Sequence, residues 1–261
     1  MRLDKYLMTT GMLASRAKAQ FHLSAGAVTV NGEVVTKNSY QLNPEDVVEI
    51  INDPCPYVSR GGLKLAKAIK EFHLDLRERV IIDLGASTGG FTDCALQNGA
   101  AKVYAVDVGV DQLATALRSD HRVISWEGRN LRTLRRDDFQ EDIDFILCDV
   151  SFISADHVYP IIKRILKPDG QAVVLIKPQF EAGIKGAKKG VVRQKKQHLA
   201  IIKRALQSAA NAGLFLVALS FSPYKGDAGN IEFLALLTPE IAKSRPNFDV
   251  QQVIDRAHES L

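Results

Sequence analysis

The run Val80-Ile81-Ile82-Asp83-Leu84, followed at once by Gly85-Ala86-Ser87-Thr88-Gly89-Gly90 and a helical pattern from Phe91, constrains the fold more than any other stretch. An apolar, β-branched run of this kind is a strand buried on both faces, which calls for a parallel sheet covered by helices. Small residues between such a strand and a helix make a tight turn. Glycine there supplies φ > 0 and bare backbone, and the unpaired N–H groups of the helix start face whatever lies against them. Such turns also occur in parallel-sheet proteins that bind nothing at that point, so a ligand-binding reading needs the next segment. About twenty residues further on, the usual spacing for an acid that holds ribose hydroxyls, Lys102-Val103-Tyr104-Ala105-Val106-Asp107 reads as a second strand ending in a carboxylate. The loop then belongs to a ligand that carries a nucleoside.

The loop itself narrows the choice. A dinucleotide fingerprint, Gly-x-Gly-x-x-Gly, has its middle glycine where Ser87 stands, and that glycine is the one that admits a pyrophosphate. Ser87 therefore argues against a nicotinamide oxidoreductase. Asp83-x-Gly85 with Gly89-Gly90 instead resembles the first motif of S-adenosylmethionine-dependent methyltransferases. That resemblance implies S-adenosylmethionine as the cofactor, with Gly85, Ser87, Thr88, Gly89 and Gly90 lining its methionine and ribose. Asp107 would take the ribose hydroxyls, and Asn130, in Glu127-Gly128-Arg129-Asn130, would lie near the adenine.

The rest of the chain alternates as βαβα, which argues for one parallel sheet with helices on both faces. Strands are expected at Val80 to Leu84, Val103 to Asp107, Val123 to Trp126, Ile143 to Asp149, Ala172 to Ile176, Leu216 to Ser220 and Ile231 to Leu237, with a closing helix over Phe248 to Ser260. The last two strands have no obvious helix between them and read as an antiparallel hairpin. At 261 residues, 46% of them hydrophobic, the chain can bury such a core and still hold a small second domain. The fold class is thus α/β, a seven-stranded Rossmann-like sheet, of the methyltransferase kind that the loop's resemblance implies, with a small N-terminal α+β domain. Expected boundaries are 1–56 for that domain, 57–62 for a linker and 63–261 for the domain that holds the sheet.

Cys55, Cys94 and Cys148 are far apart and match neither a zinc spacing nor a disulfide framework, which fits a reducing cytosol. Arg2, Asp4 and Lys5 interrupt the N-terminus, and apolar runs such as Leu214 to Leu219 fall short of a bilayer span, so a cytoplasmic protein with no membrane partner is expected. The oligomeric state is not legible.

The N-terminal segment reads as two short helices, the first ending near Gly11 and the second running from a Ser15 cap to Gly26. Val28-Thr29-Val30, Asn31-Gly32 and Glu33-Val34-Val35 form a hairpin signal, because both central residues of a type I′ turn need φ > 0. Val47-Val48-Glu49-Ile50 closes the sheet. Together with Arg2-Leu3-Asp4-Lys5-Tyr6-Leu7, Ser15-Arg16-Ala17-Lys18-Ala19 and Gly26 to Gly32, these runs resemble the small RNA-binding module shared by a small-subunit ribosomal protein, many pseudouridine synthases and tyrosyl-tRNA synthetases. The resemblance makes Arg2, Lys5, Arg16, Lys18 and Lys37 phosphate contacts. Net charge gives no support, since the segment through Val58 has five basic and six acidic residues. Asp53-Pro54-Cys55-Pro56 is a stiff boundary. A second basic stretch, Gly183 to Lys196, contains Lys188, Lys189 and Arg193 and reads either as a loop that closes on RNA phosphates or as a disordered tip.

Three charged residues sit where parallel-sheet ligands sit. Asp149 ends the fourth strand, Lys177 ends the fifth, and Glu232 starts the antiparallel last strand, on the same edge. With Lys64, on a helix from Leu63, they match the Lys-Asp-Lys-Glu constellation of FtsJ-like ribose 2′-O-methyltransferases. The whole chain is similar to the TlyA family of ribosomal RNA methyltransferases, some of which are called haemolysins. The resemblance rests on Ser59-Arg60-Gly61-Gly62, Asp83 to Thr92, Asp149-Val150-Ser151-Phe152-Ile153-Ser154, Lys177-Pro178-Gln179-Phe180-Glu181, Gly190-Val191-Val192-Arg193, and Ser222-Pro223 with Gly229-Asn230-Ile231-Glu232. One run departs from better-known relatives: Cys55-Pro56-Tyr57-Val58 stands in place of an Arg-x-Trp-Val type linker.

What the family implies is S-adenosylmethionine-dependent 2′-O-methylation of ribosomal RNA, with cytidine as target and no metal. Lys177 is expected as the base, Asp149 as its orienter, and Lys64 and Glu232 as holders of the network and the ribose. A lysine crowded by a second cation and partly desolvated can accept a hydroxyl proton. Other readings are a non-catalytic RNA-binding assembly factor and a membrane-active haemolysin, although no amphipathic or spanning segment supports the second.

Overall fold

Asn31 and Gly32 take φ of 54° and 81°, the double positive turn that their sequence demands. They join β1 (Val28–Val30) to β2 (Glu33–Val34), and β3 (Val48–Ile50) pairs with the other side of β1, giving the antiparallel order β2-β1-β3. Ahead of the sheet lie α1 (Leu3–Thr9) and α2 (Arg16–Ser24), the latter capped where Ser15 Oγ accepts from Lys18 N at 3.2 Å. Leu3, Leu7, Leu13, Ala19, Leu23, Val28 and Val30 form the core of this unit. It spans Met1–Pro56, and a second unit spans Tyr57–Leu261. The structure, a computed structural model, describes all residues except 14, 152–153, 182–189, 227–228 and 246.

In the second unit α3 (Gly61–Phe72) precedes β4 (Val80–Leu84), α4 (Gly90–Gln97) and β5 (Lys102–Val106). A four-residue α5 (Thr115–Arg118) leads to β6 (Val123–Trp126), then β7 (Ile143–Cys148), α6 (Tyr159–Ile165) and β8 (Leu166–Ile176). The chain finishes with α7 (Pro178–Glu181), α8 (Lys195–Asn211), β9 (Phe215–Phe221), β10 (Phe233–Thr238) and α9 (Val250–Ser260). The seven strands order as β6-β5-β4-β7-β8-β10-β9. The first five are parallel, and β10 inserts antiparallel between β8 and β9.

Alternate strand residues build two cores, as a sheet buried on both faces requires. Ile82, Leu84, Tyr104, Ile146, Val174 and Phe233 face α6, α8 and α9. Ile81, Val103, Phe145, Leu147, Leu175 and Leu234 face α3 and α4. Two elements differ from their sequence signals. Strand β8 begins at Leu166 rather than Ala172, carrying Pro168-Asp169-Gly170, a turn signature, across a register shift against β7. Helix α3 starts at Gly61, where two glycines would otherwise argue against a helix.

The reason for those glycines is a close helix approach. A Cβ on Gly90, at the start of α4, would lie 2.8 Å from Gly62 N and against Ser59 Oγ. A Cβ on Gly62 would collide with the Tyr57 ring. Val58 N donates to Asp93 Oδ2 at 2.7 Å, pinning the same corner. This corner fixes α3 on the sheet and with it Lys64. Gly90→Ala is therefore expected to cost about 1–3 kcal/mol by overpacking, read as a lower denaturation midpoint; unchanged stability would show that the corner tolerates a methyl group.

Candidate active site

The carboxyl-terminal edge of the sheet carries Asp149 directly after β7, Lys177 directly after β8 and Glu232 directly before β10. Because β10 runs antiparallel to β8, pairing Phe233 with Ile176, its start meets the end of β8. Gly85, at φ 83°, packs where a Cβ would lie 2.9 Å from the Asp149 carbonyl, so the turn after β4 seats the Asp149 backbone. Lys64 arrives from the first turns of α3.

These four side chains form one network. Asp149 Oδ1 lies 2.6 Å from Lys177 Nζ and Asp149 Oδ2 lies 3.3 Å from Lys64 Nζ. Lys64 Nζ lies 2.8 Å from Glu232 Oε2. Lys64, Lys177 and Glu232 are all buried, at 8%, 7% and 4% exposure, which leaves water little part in screening them. Burial pushes the Asp149 carboxyl up, yet the two lysines outweigh it and hold it below its ordinary value. Burial likewise pushes the Lys64 ammonium down, but Asp149 and Glu232 raise it well above the usual lysine value. Lys64 is therefore a fixed cation.

Residues that the motifs did not single out complete the surroundings. Lys177 Nζ donates to Ser151 Oγ at 2.8 Å, and Ser151 is exposed. Tyr224 places its ring 5.8 Å from Lys64 Nζ and 5.2 Å from the Arg60 guanidinium, while its hydroxyl donates to Arg60 O at 2.5 Å. Burial raises the Tyr224 phenol above its ordinary value. Ser151 stood within a quoted run, but a serine after a strand gives no signal of its lysine partner; Tyr224 carried none at all.

Across β4 lies the glycine turn. Ser87 adopts φ 49° and its N–H donates to Asp107 Oδ2 at 2.8 Å; Gly109 N donates to Asp107 Oδ1 at 2.8 Å. A carboxylate has about four lone-pair sites, so Asp107 keeps capacity for a diol. Ser87 and Thr88 are exposed, whereas Gly89 and Gly90 are buried. A Cβ on Gly89 would lie 2.8 Å from Leu113 Cδ1, so the segment before α5 packs on it. Asn130 is exposed and accepts from Arg132 N at 3.0 Å. Its loop is tied to the Asp107 loop through Arg129 N to Asp107 O and Gly128 N to Gly109 O, both 2.9 Å.

Asp83 is fully buried beneath this turn. Its Oδ2 accepts from Thr92 N at 3.0 Å and Thr92 Oγ1 at 2.7 Å, satisfying a donor of the α4 start. Its Oδ1 has no partner among the described residues, and burial pushes the carboxyl up to about 7. An orphaned, dry carboxylate oxygen and an exposed left-handed turn beside a carboxylate fit a ligand with a cationic group and a ribose.

In the N-terminal unit, buried Asp4 organises two of the basic candidates. Arg2 donates to it twice, at 3.0 and 2.9 Å, and Arg16 lies 3.4 Å away. Hydrogen bonding from Arg2 holds the Asp4 carboxyl below its usual value. Lys18 lies 3.8 Å from Asp53, and Lys5 and Lys37 are exposed. Arg193 is exposed just ahead of α8; Lys188 and Lys189 lie outside the described residues.

A mixed sheet of this order, five parallel strands closed by an antiparallel pair, with charged groups gathered at the carboxyl edge of the parallel strands, defines a Rossmann-like methyltransferase class. Residues 57–238 match the FtsJ-like methyltransferase family and residues 1–48 the S4 domain. The chain belongs to the FtsJ-like methyltransferase family, with an S4 domain at its N-terminus. It is 33% identical to the 16S/23S rRNA (cytidine-2′-O)-methyltransferase TlyA of Mycobacterium tuberculosis, over 98% of this chain and 96% of that one. It is 43% identical to Hemolysin A of Brachyspira hyodysenteriae over 90% of this chain and 98% of that protein. Among solved structures, a methyltransferase dependent on S-adenosylmethionine from Mesorhizobium loti shares the fold at TM-score 0.50 and 16% identity, covering 69% of this chain and 99% of that one. Among the described residues no helix is long and apolar enough to cross a membrane.

Asp83 yields a pH signature. Its folded pKa of about 7 exceeds the unfolded value near 3.9. The folded state therefore binds more protons between those limits, so this group's contribution to stability is present at low pH and is lost as pH rises toward 7. Asp83→Asn removes that loss. The variant's stability relative to the parent is expected to rise by roughly 2–4 kcal/mol between pH 4 and pH 8, measured by denaturant titration without cofactor. A pH-independent difference would contradict the assignment.

Proposed function

We propose that the chain transfers a methyl group from S-adenosylmethionine to the ribose 2′-hydroxyl of a cytidine in ribosomal RNA. The observation that carries this reading is the single network of Lys64, Asp149, Lys177 and Glu232, drawn from four separate segments to one sheet edge. Family membership and the activity named for the Mycobacterium tuberculosis relative support it.

A ribose hydroxyl is a poor nucleophile near neutral pH, so a base within hydrogen-bond reach is the main chemical need. In this reading Lys177 accepts the 2′-hydroxyl proton as the new O–CH₃ bond forms. Asp149 and Ser151 aim its amine, with Asp149 already shared by the fixed Lys64 cation. Lys64 and Glu232 hold the network and orient the ribose. S-adenosylmethionine, when bound, supplies a methyl group on a positively charged sulfur, a leaving group that departs neutral. Alignment does the rest, and the groups that supply it are buried and already paired.

The cofactor falls to the turn after β4. Asp83 Oδ1 would meet the ammonium of the methionine portion, Gly85, Ser87, Thr88, Gly89 and Gly90 would offer backbone, Asp107 would hold the ribose, and Asn130 would lie near the adenine. Arg2, Lys5, Arg16, Lys18 and Lys37 would meet RNA phosphates, with Asp4 holding two of the guanidiniums in place. Lys188, Lys189 and Arg193, in the methyltransferase unit, would meet RNA phosphates as well.

In a methyl-incorporation assay with unmodified ribosomal RNA, Lys177→Ala is expected to lose at least 10²-fold in rate, on the order of a general-base deletion, while cofactor affinity by calorimetry stays within a few-fold. Full activity would remove Lys177 from the chemistry. Ser151→Ala is expected to lower the rate about tenfold, the worth of one hydrogen bond, and Ser151→Thr to restore it; a rate equal to the parent's would show that Asp149 alone aims the amine.

A further inference from the structure

Between β9 and β10 the chain forms a thin wall with different surroundings on its two sides. A Cβ on Gly226 would lie 2.5 Å from Glu232 Oε1, so Gly226 borders the lysine–carboxylate network. The chain neighbours of these two residues, Lys225 and Ile231, line a cavity of about 420 Å³ together with Val191, Val192, Arg193 and His258. Neighbouring residues of this loop thus face different surroundings, Gly226 and Glu232 the network and Lys225 and Ile231 the cavity.

Asn230 fixes the wall. Its Nδ2 donates to Gly190 O and its Oδ1 accepts from Val192 N, both at 2.9 Å, and it is fully buried. The clip seats Gly190-Val191-Val192 against the loop and brings Arg193 to the cavity. His258 is held from behind by fully buried His198, whose Nδ1 lies 2.8 Å from His258 Nε2. Lys195, just beyond Arg193, is tied to Asp255 at 2.7 Å, whereas the described residues lining the cavity include the cations Arg193 and Lys225 and no carboxylate; burial and Lys195 push the His258 imidazole down, toward its neutral form.

Two cations, Arg193 and Lys225, with the His258 imidazole beside them over apolar walls match one phosphate with a sugar or base attached, and the volume falls within the range of single small-ligand pockets, about 300–1,000 Å³. We infer that this cavity seats a nucleotide of the RNA strand adjacent to the one whose ribose reaches Lys177, its phosphate held among Arg193, Lys225 and His258. The inference rests on the function proposed above and extends it: the wall between cavity and network would fix the register of the strand, so that one ribose and no other faces the base.

The test measures binding of the full chain to unmodified ribosomal RNA across a salt series, for the parent, Arg193→Ala, Lys225→Ala and the double variant. Each lost phosphate contact is expected to weaken binding several-fold and to reduce the slope of log K against log salt by about 0.7, the value for single strands. Lys225→Arg is expected to keep the parent slope. Affinity for S-adenosylmethionine and the thermal midpoint serve as folding controls. Parent-like affinity and slope in folded double variant would overturn the inference. So would loss of free cytidine monophosphate binding with RNA binding intact, which assigns the cavity to a free nucleotide. If the slopes fall as expected but the parent methylates no RNA, the cavity assignment stands and the proposed function fails.

Discussion

Asp149 sits between two lysines, and the rest of the sheet edge is arranged so that it can. Its two oxygens divide between Lys177 at 2.6 Å and Lys64 at 3.3 Å, and Lys64 turns its remaining reach to Glu232 at 2.8 Å. Burying four ionisable groups is costly, and a buried ion network is commonly no more stable than an apolar one of the same volume. Such a cluster is therefore poor evidence of a stabilising device and better evidence of a group whose charge has chemistry to do. The fixed positive charge on Lys64 matters most here. With Asp149 already partnered, loss of a proton from Lys177 leaves no naked carboxylate behind.

Geometry that looks incidental turns out to serve that one residue. Gly85 lets the β4 turn press on the Asp149 backbone, and the contact of Gly90 with Gly62 brings α3 close enough for Lys64 to arrive. The antiparallel insertion of β10 puts the start of one strand beside the ends of two others, which is how Glu232 joins from the far end of the chain. Asp83 does the corresponding work for the neighbouring turn, holding the start of α4 through Thr92 with one oxygen and leaving the other without a protein partner.

Much of this was legible in the sequence because it depends on local rules. The β-branched runs fixed which segments form the sheet, Asn31-Gly32 fixed a hairpin, and charged residues at strand ends pointed to the edge where they meet. The illegible part depends on contacts between distant segments. The strand expected from Ala172 begins at Leu166 instead, because pairing with β7 carries Pro168-Asp169-Gly170 into β8 whatever their local propensity. The helix expected from Leu63 takes in Gly61 and Gly62 as well, for a reason only the approach of α4 supplies. Arg2 and Arg16 read only as separate phosphate contacts, and the buried Asp4 between them reveals an organised pair. Ser151 and Tyr224 gave no signal, since hydroxyl side chains after a strand are ordinary until a lysine is found beside them.

The central claim is that this network acts on a ribose oxygen. Ribosomal RNA lacking the modification, incubated with the protein and S-adenosylmethionine, digested to nucleosides and resolved by mass spectrometry, tests it directly. The account predicts the appearance of 2′-O-methylcytidine. A methyl group found on a base, or no methylated nucleoside from protein that binds both the cofactor and the RNA, would contradict it.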